Sequence, residues 1–184
     1  MEFPNLKTQR LVLNQFDSSD AEKIATYLDD VDMSKFVSNI PFPYSLENAS
    51  TFINSCREQF LIKKSITFAI REKSSQILVG SIAIQIKSKH KRGVLGYWIA
   101  KDYWGRGFAT ESLEKVLEFA FDDLKLNKLE AVHRTENLAS GKVMRKVGMV
   151  KEGELKQHCF KNDKFWDVVT MGICRDEYLK KNQV

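Results

Sequence analysis

The chain has 184 residues, 43% hydrophobic, 29% charged and 11% aromatic, which excludes a disordered or fibrous protein and suits one packed domain spanning residues 1–184. Its formal charge of +5 is spread along the sequence and not gathered into basic blocks, so direct nucleic-acid binding is not expected. No apolar run nears the roughly 20 residues that span a bilayer, and residues 1–10 lack the basic and apolar regions of a secretory leader, so the expectation is a cytoplasmic protein without a membrane partner.

In chain order, residues 9–16 (QRLVLNQF) are rich in strand formers. Ser19 and Glu22 then offer an S-x-x-E capping box ahead of Ile24, Ala25 and Leu28 at helical spacing. After the turn-rich IPFPYS, Ser45 caps a second expected helix, with Leu46, Ala49, Phe52, Ile53, Cys56 and Phe60 on one stripe. The period then changes to two: residues 66–70, 77–87 and 94–100 read as three strands of a meander, joined by short polar connections. A loop with Gly105 and Gly107 leads into a helix marked by Leu113, Val116, Leu117, Ala120, Phe121 and Leu124. Residues 128–134 (KLEAVHR) read as a strand, and 138–147 as a short helix stopped by Gly148. A final hairpin turns near Asn162 and Asp163 and leaves a polar tail. The order β-α-α-β-β-β-α-β-α-β-β describes a mixed α/β (α+β) fold: a mostly antiparallel seven-stranded sheet flanked by about four helices.

The chemistry is concentrated in residues 96–111, GYWIAKDYWGRGFATE, where a strand passes through a glycine-containing loop directly into an amphipathic helix. The first turn of a helix has unpaired N–H groups and a partial positive charge, and glycines admit an anion close to the backbone. Arg106 adds a mobile cation. The spacing matches neither a P-loop nor a dinucleotide fingerprint. Taken alone, the two glycines could equally shape a tight turn.

These residues resemble the acetyl-CoA motif of the GNAT superfamily, [Q/R]-x-x-G-x-[G/A], with Gly107 and Ala109 in the last two places and Trp104 in the first. Trp104 there is a departure that is similar to the RimJ/RimL-type subgroup of ribosomal-protein N-terminal acetyltransferases. The resemblance extends through TQRLVL at 8–13, the run Asn137, Ser140, Lys146, Gly148, and EGELKQHCFKNDKFWD at 152–167. It implies the GNAT fold, acetyl-CoA as cosubstrate without a metal, and a single GNAT domain.

The resemblance further implies that pantetheine lies beside the strand end at Trp98, Ile99 and Ala100, and pyrophosphate on the N–H groups of Gly105, Arg106, Gly107, Phe108, Ala109 and Thr110, next to Trp104. Asn137 and Ser140 would contact pantetheine and the thioester sulfur, although Asn137 equally suits a helix cap. A backbone N–H near Ile99 is the expected oxyanion donor, and Ser140 the expected acid or thiolate stabiliser, because the tyrosine of many superfamily members falls on Met144. The glutamate base of some relatives falls on Val132, and the carboxylate of some RimL-type relatives on Cys159. Glu130 and His158 are the neighbouring candidates; each reads equally as an ordinary polar residue. Phe36, Phe42, Tyr44 and Trp166 are either acceptor-cleft or core aromatics. The cysteines, Cys56, Cys159 and Cys174, form no CxxC and read as plain thiols.

An α-amine has a pKa near 7.7–8.0 and a lysine near 10.4, so a missing base favours a protein N-terminus, such as that of a ribosomal protein, as the acceptor. A small amine (polyamine, aminoglycoside, amino acid), a non-catalytic acyl-CoA-binding module, and a basic RNA-binding protein stand as alternatives. A monomer or a homodimer is expected.

Overall fold

The computed structural model describes residues 2–37 and 40–182. Strands β1 (Leu6–Lys7) and β2 (Leu11–Asn14) precede three helices, α1 (Asp20–Leu28), α2 (Val31–Phe36) and α3 (Leu46–Leu61). The meander β3 (Ser65–Glu72), β4 (Leu78–Lys87) and β5 (Arg92–Ile99) follows, then α4 (Phe108–Asp122), β6 (Lys128–Arg134) and α5 (Leu138–Lys146). The hairpin β7 (Val150–Lys161) and β8 (Lys164–Cys174) and helix α6 (Arg175–Asn182) complete the fold. The strands form one sheet in the order β1-β2-β3-β4-β5-β6-β8-β7. The described residues thus contain eight strands and six α-helices, where the sequence leads one to expect seven and about four. The additions are the two-residue β1, the six-residue α2 and the polar α6, each too short or too uniform to carry a periodic stripe.

Local chemistry explains the boundaries. Ser45 accepts from the Asn48 N–H and Asn48 returns a bond to the Ser45 N–H, a reciprocal cap for α3. At α1 the expected Ser19–Glu22 box is absent. Ser19 is itself in the right-handed helical region and makes no capping bond, while the Asp20 carboxylate accepts from the Asp17 N–H. Asp30 caps α2 by accepting from Asp32 and Met33. Gly148 closes α5 in the left-handed region (φ +100), with Gly148 N–H donated to Arg145 O and Met149 N–H to Met144 O. Asn162 and Asp163 both have positive φ, which matches a tight hairpin turn to the twist of β7 and β8.

Two apolar layers cover the sheet. One joins Leu113, Val116, Leu117 and Ala120 of α4, with Met144 and Val147 of α5, to Phe68, Ile82, Leu95, Leu129 and Met171. The other joins α1, α2 and α3 to Ala69, Leu78 and Trp98 through Ile24, Leu28, Met33 and Ile53. Removing one of these fully buried side chains, as in Leu113→Ala, costs about 2–5 kcal/mol. Arg71 of β3 fastens α1 through a largely buried ion pair to Asp20 (2.6 Å).

Candidate active site

Among the described residues β5 and β6 are the one parallel pair, linked by the α4 crossover, and they pair over four positions only, from Arg92–Lys128 to Leu95–Ala131. Beyond that point β5 stays with β4 as far as Ile99–Gly80, and β6 stays with β8 as far as Arg134–Val168. The sheet therefore parts in its middle, and the gap opens between residues 96–99 and 132–134. Gly96 has nothing within 4 Å of where a Cβ would stand, and Val132 across the gap is 48% exposed.

The edges of this gap are chemically ready. The Ala100 N–H is donated to Val79 O, so antiparallel alternation turns the N–H groups of Tyr97 and Ile99 away from β4 and toward the gap. The Ile99 carbonyl is taken by the Trp104 indole N–H at 2.6 Å, which ties the following loop to the strand end. Trp98, Ile99 and Ala100 are buried, so what they present is backbone.

The loop then delivers α4. Gly105 and Gly107 both have positive φ, and Gly107 occupies the N-cap of α4 without any side-chain capping bond. The first N–H groups of α4, at Phe108, Ala109 and Thr110, are consequently left for an outside acceptor. Arg106 lies over the Tyr103 ring, which stacks on Phe108. Behind the loop, Glu111 accepts from the Thr8 hydroxyl (2.6 Å), the Arg10 N–H (2.8 Å) and the Arg10 guanidinium (2.7 Å). Partial burial pushes the Glu111 carboxyl up, and these three donors together more than offset it, holding the group below the usual carboxylate range.

On the other side of the gap, Asn137 caps α5 and its Oδ1 accepts from the Ser140 N–H at 3.0 Å. Ser140 Oγ shares a 2.9 Å hydrogen bond with the Tyr97 hydroxyl, so a residue of β5 and one of α5 meet across the gap. Burial pushes the Tyr97 hydroxyl up to about 12, with the Ser140 bond working against it, so it stays protonated through the neutral range. Tyr97 was invisible as a site residue in sequence, where it is one more aromatic in a strand.

The remaining candidates are spread out. Glu130 lies where β5 and β6 are still paired, and its carboxylate is held by Arg92 (3.1 Å) and Lys128 (3.5 Å). His158 is exposed on an irregular stretch of β7 between Leu155 and Cys159. Neither is among the hydrogen-bond partners of Tyr97 or Ser140 in the described residues. Met144 is buried in the α4–α5 layer. Of the four aromatics, Tyr44 is core, Phe36 and Phe42 are exposed, and Trp166 is half-buried. Cys56, Cys159 and Cys174 are free thiols, and burial pushes Cys56 up to about 11. Among the described residues there is no metal-binding group of three or more His, Cys, Asp or Glu, and no helix long and apolar enough to cross a membrane.

An uncapped helix N-terminus behind two glycines, beside a parted sheet with inward-facing N–H groups, fits a long ligand with a pyrophosphate at one end and amides along its arm. Comparison with known proteins gives the fold a family. The family described as acetyltransferase (GNAT) domain matches residues 10–150. The uncharacterized N-acetyltransferase YoaA of Bacillus subtilis (strain 168) is 31% identical over 174 residues, 94% of this chain and 98% of its own. The spermidine N(1)-acetyltransferase of Escherichia coli (strain K12) is 29% identical over 100 residues, 54% of each chain. The ribosomal-protein-S5-alanine acetyltransferase of Vibrio fischeri, at 19% identity, shares the fold with a TM-score of 0.83 over 95% of this chain and 98% of its own.

Proposed function

The chain belongs to the GNAT acetyltransferase family and is an acyl-CoA-dependent N-acetyltransferase, and from that premise we propose that its acceptor is the α-amine of a peptide or protein N-terminus. The observation that carries this reading is the state of Glu130. It is the sole carboxylate of β6, and both Arg92 and Lys128 hold it in the paired part of the sheet. A site without a free carboxylate base works best on an amine that is already partly neutral. About a tenth of an α-amine with a pKa near 8 is neutral at pH 7, against less than about one part in a thousand of a lysine.

In this reading acetyl-CoA supplies an activated thioester. The N–H groups of residues 105–110 and the Arg106 guanidinium would hold its pyrophosphate, and the strand edge at Trp98, Ile99 and Ala100, with Asn137, its arm. The Ile99 N–H faces the gap and would donate to a developing oxyanion. Ser140 Oγ holds a proton that a departing thiolate can take, and Tyr97 stands behind it as the next donor. Free thiols at Cys56, Cys159 and Cys174 suit a cytoplasmic protein.

A polyamine acceptor is the competing reading, because a spermidine acetyltransferase is among the relatives. The cations Arg134, Lys161 and Lys164 around Trp166 work against it, since they repel a polycation. The deciding test is incubation with acetyl-CoA and a panel of Ala- and Ser-starting peptides, lysine, spermidine and aminoglycosides, with CoA thiol release and product mass followed together. Acetylated peptide α-amines are expected. Turnover confined to spermidine or another small amine would overturn the α-amine reading and leave the family assignment standing.

A further inference from the structure

Arg134, the last residue of β6, is 6% exposed, and its Nε and Nη2 are closed off from solvent without a hydrogen-bond partner. A buried guanidinium is ordinarily paired, because removing that charge from water is costly and its donors are left unmet. Here its Cζ lies over the Trp166 ring, 4.3 Å from the centroid, and Lys164 Nζ lies over the same ring at 4.2 Å. Lys161 Nζ stands nearby and spends its donors on the carbonyls of Ser34 and Val37, fastening the β7–β8 hairpin to α2. Burial lowers the proton affinity of Lys161, and Arg134 lowers it further. Cys159 and Glu136 face Arg134 without an ion pair; among the described residues no ion pair involves Arg134, Lys161 or Lys164.

The side of the sheet matters as much as the charge. Leu129 and Ala131 of β6 face the α4–α5 layer, and His133 follows them, pressing on Gly141 of α5. Strand alternation therefore puts Val132 and Arg134 on the opposite side, with the layer of α1, α2 and α3. The pyrophosphate loop belongs to α4, so this cluster serves a different anion. It is also close to the reacting groups along the chain. The Asn137 N–H is donated to Arg134 O, and the Asn137 side chain holds the Ser140 N–H.

We propose that Arg134, on its Trp166 platform, binds an oxyanion of the acceptor, so that the preferred substrate is an α-amine with a carboxylate or phosphate a few atoms from its nitrogen. The inference rests on the α-amine reading above and adds the acidic second group. A guanidinium holds a carboxylate or a phosphate through paired, charge-assisted bonds, and the indole beneath it fixes the plane in which they form.

The test uses the full-length protein and Ala-starting peptides that differ only at the second residue: Asp against Asn, and phosphoserine against serine. The expected result is a kcat/KM preference of about thirtyfold or more for the anionic member of a pair, reduced to within about threefold in Arg134→Met and partly kept in Arg134→Lys, with KM for acetyl-CoA unchanged. Faster phosphoserine peptides assign a phosphate, and faster aspartyl peptides a carboxylate. Equal rates for Asp and Asn peptides in the unaltered protein, or equal losses for both in Arg134→Met, would overturn the proposal. Calorimetry with N-acetyl-Ala-Asp and N-acetyl-Ala-Asn in the presence of CoA needs no turnover. It decides the Arg134 subsite even where peptide α-amines prove not to be acetylated, so the two failures are told apart.

Discussion

Arg10 and Glu111 stand 101 residues apart and are joined by two hydrogen bonds, one from the Arg10 backbone and one from its guanidinium. With the Thr8 hydroxyl they tie the start of the sheet to the first turn of α4, and the Arg10 Nη1 also donates to Arg106 O inside the glycine loop. This tether sets where the free N–H groups of α4 point.

Glu111→Gln is expected to raise KM for acetyl-CoA by about three- to tenfold with kcat little changed, because it weakens the tether and leaves the reacting groups in place. The substitution also has a pH signature. The folded carboxyl lies below its ordinary 4.5, so it contributes stability that is present above that value and lost as pH falls through the folded one. Acid titration of the melting temperature should show this loss in the unaltered protein and a smaller one in Glu111→Gln.

Gly107→Ala forces a side chain into the left-handed region (φ +81) and brings its Cβ to 3.3 Å from Arg10 Nη2. The strain of about 1–2 kcal/mol should lower the melting temperature by about 2–8 °C. CoA affinity, read by calorimetry, should fall more than in Gly105→Ala, which carries the same left-handed strain (φ +76) but whose added atom meets open space.

Ser140→Ala is expected to lower kcat by about ten- to a hundredfold, and Tyr97→Phe by less, with KM for acetyl-CoA within about threefold in both. Because the two hydroxyls share one hydrogen bond, the double variant should fall short of the product of the single losses. Burial pushes the Tyr97 hydroxyl up to about 12, so it should leave no mark on the working pH profile. With Ala-starting peptides, kcat/KM should instead rise with pH through the acceptor's own pKa, near 8, and level off above it.

Glu130→Gln and His158→Ala should each keep kcat/KM within about threefold, since one carboxylate is held by Arg92 and Lys128 and the other side chain is exposed. A loss of a hundredfold in either would return it to the list of bases.

Much of this was legible in the sequence, for identifiable reasons. The strand at 128–134 matches β6 residue for residue, and the α4 stripe marks a real helix although its last member, Leu124, lies beyond the end at Asp122, because both segments repeat with one clear period. Ser19 failed as a cap because two neighbouring aspartates offered a better local bond. The glycine loop was legible because its chemistry is contiguous. Tyr97 and Arg134 were not, because what distinguishes them is where β5 leaves β6 and which side of the strand looks into the opening. Both depend on partners far away in sequence, at Ser140 and Trp166.

The parting of β5 from β6 also places unsatisfied backbone edges in the interior of a sheet, where most proteins keep theirs at the rim. A bound chain of amides would complete the missing ladder and act as a borrowed strand. The fold's resistance to heat and proteolysis should then follow the supply of acyl donor, by about 2.7 kcal/mol when the donor stands at a hundred times its dissociation constant. A starved cell would hold a looser copy of this protein, with its middle open, and a well-fed cell a tighter one.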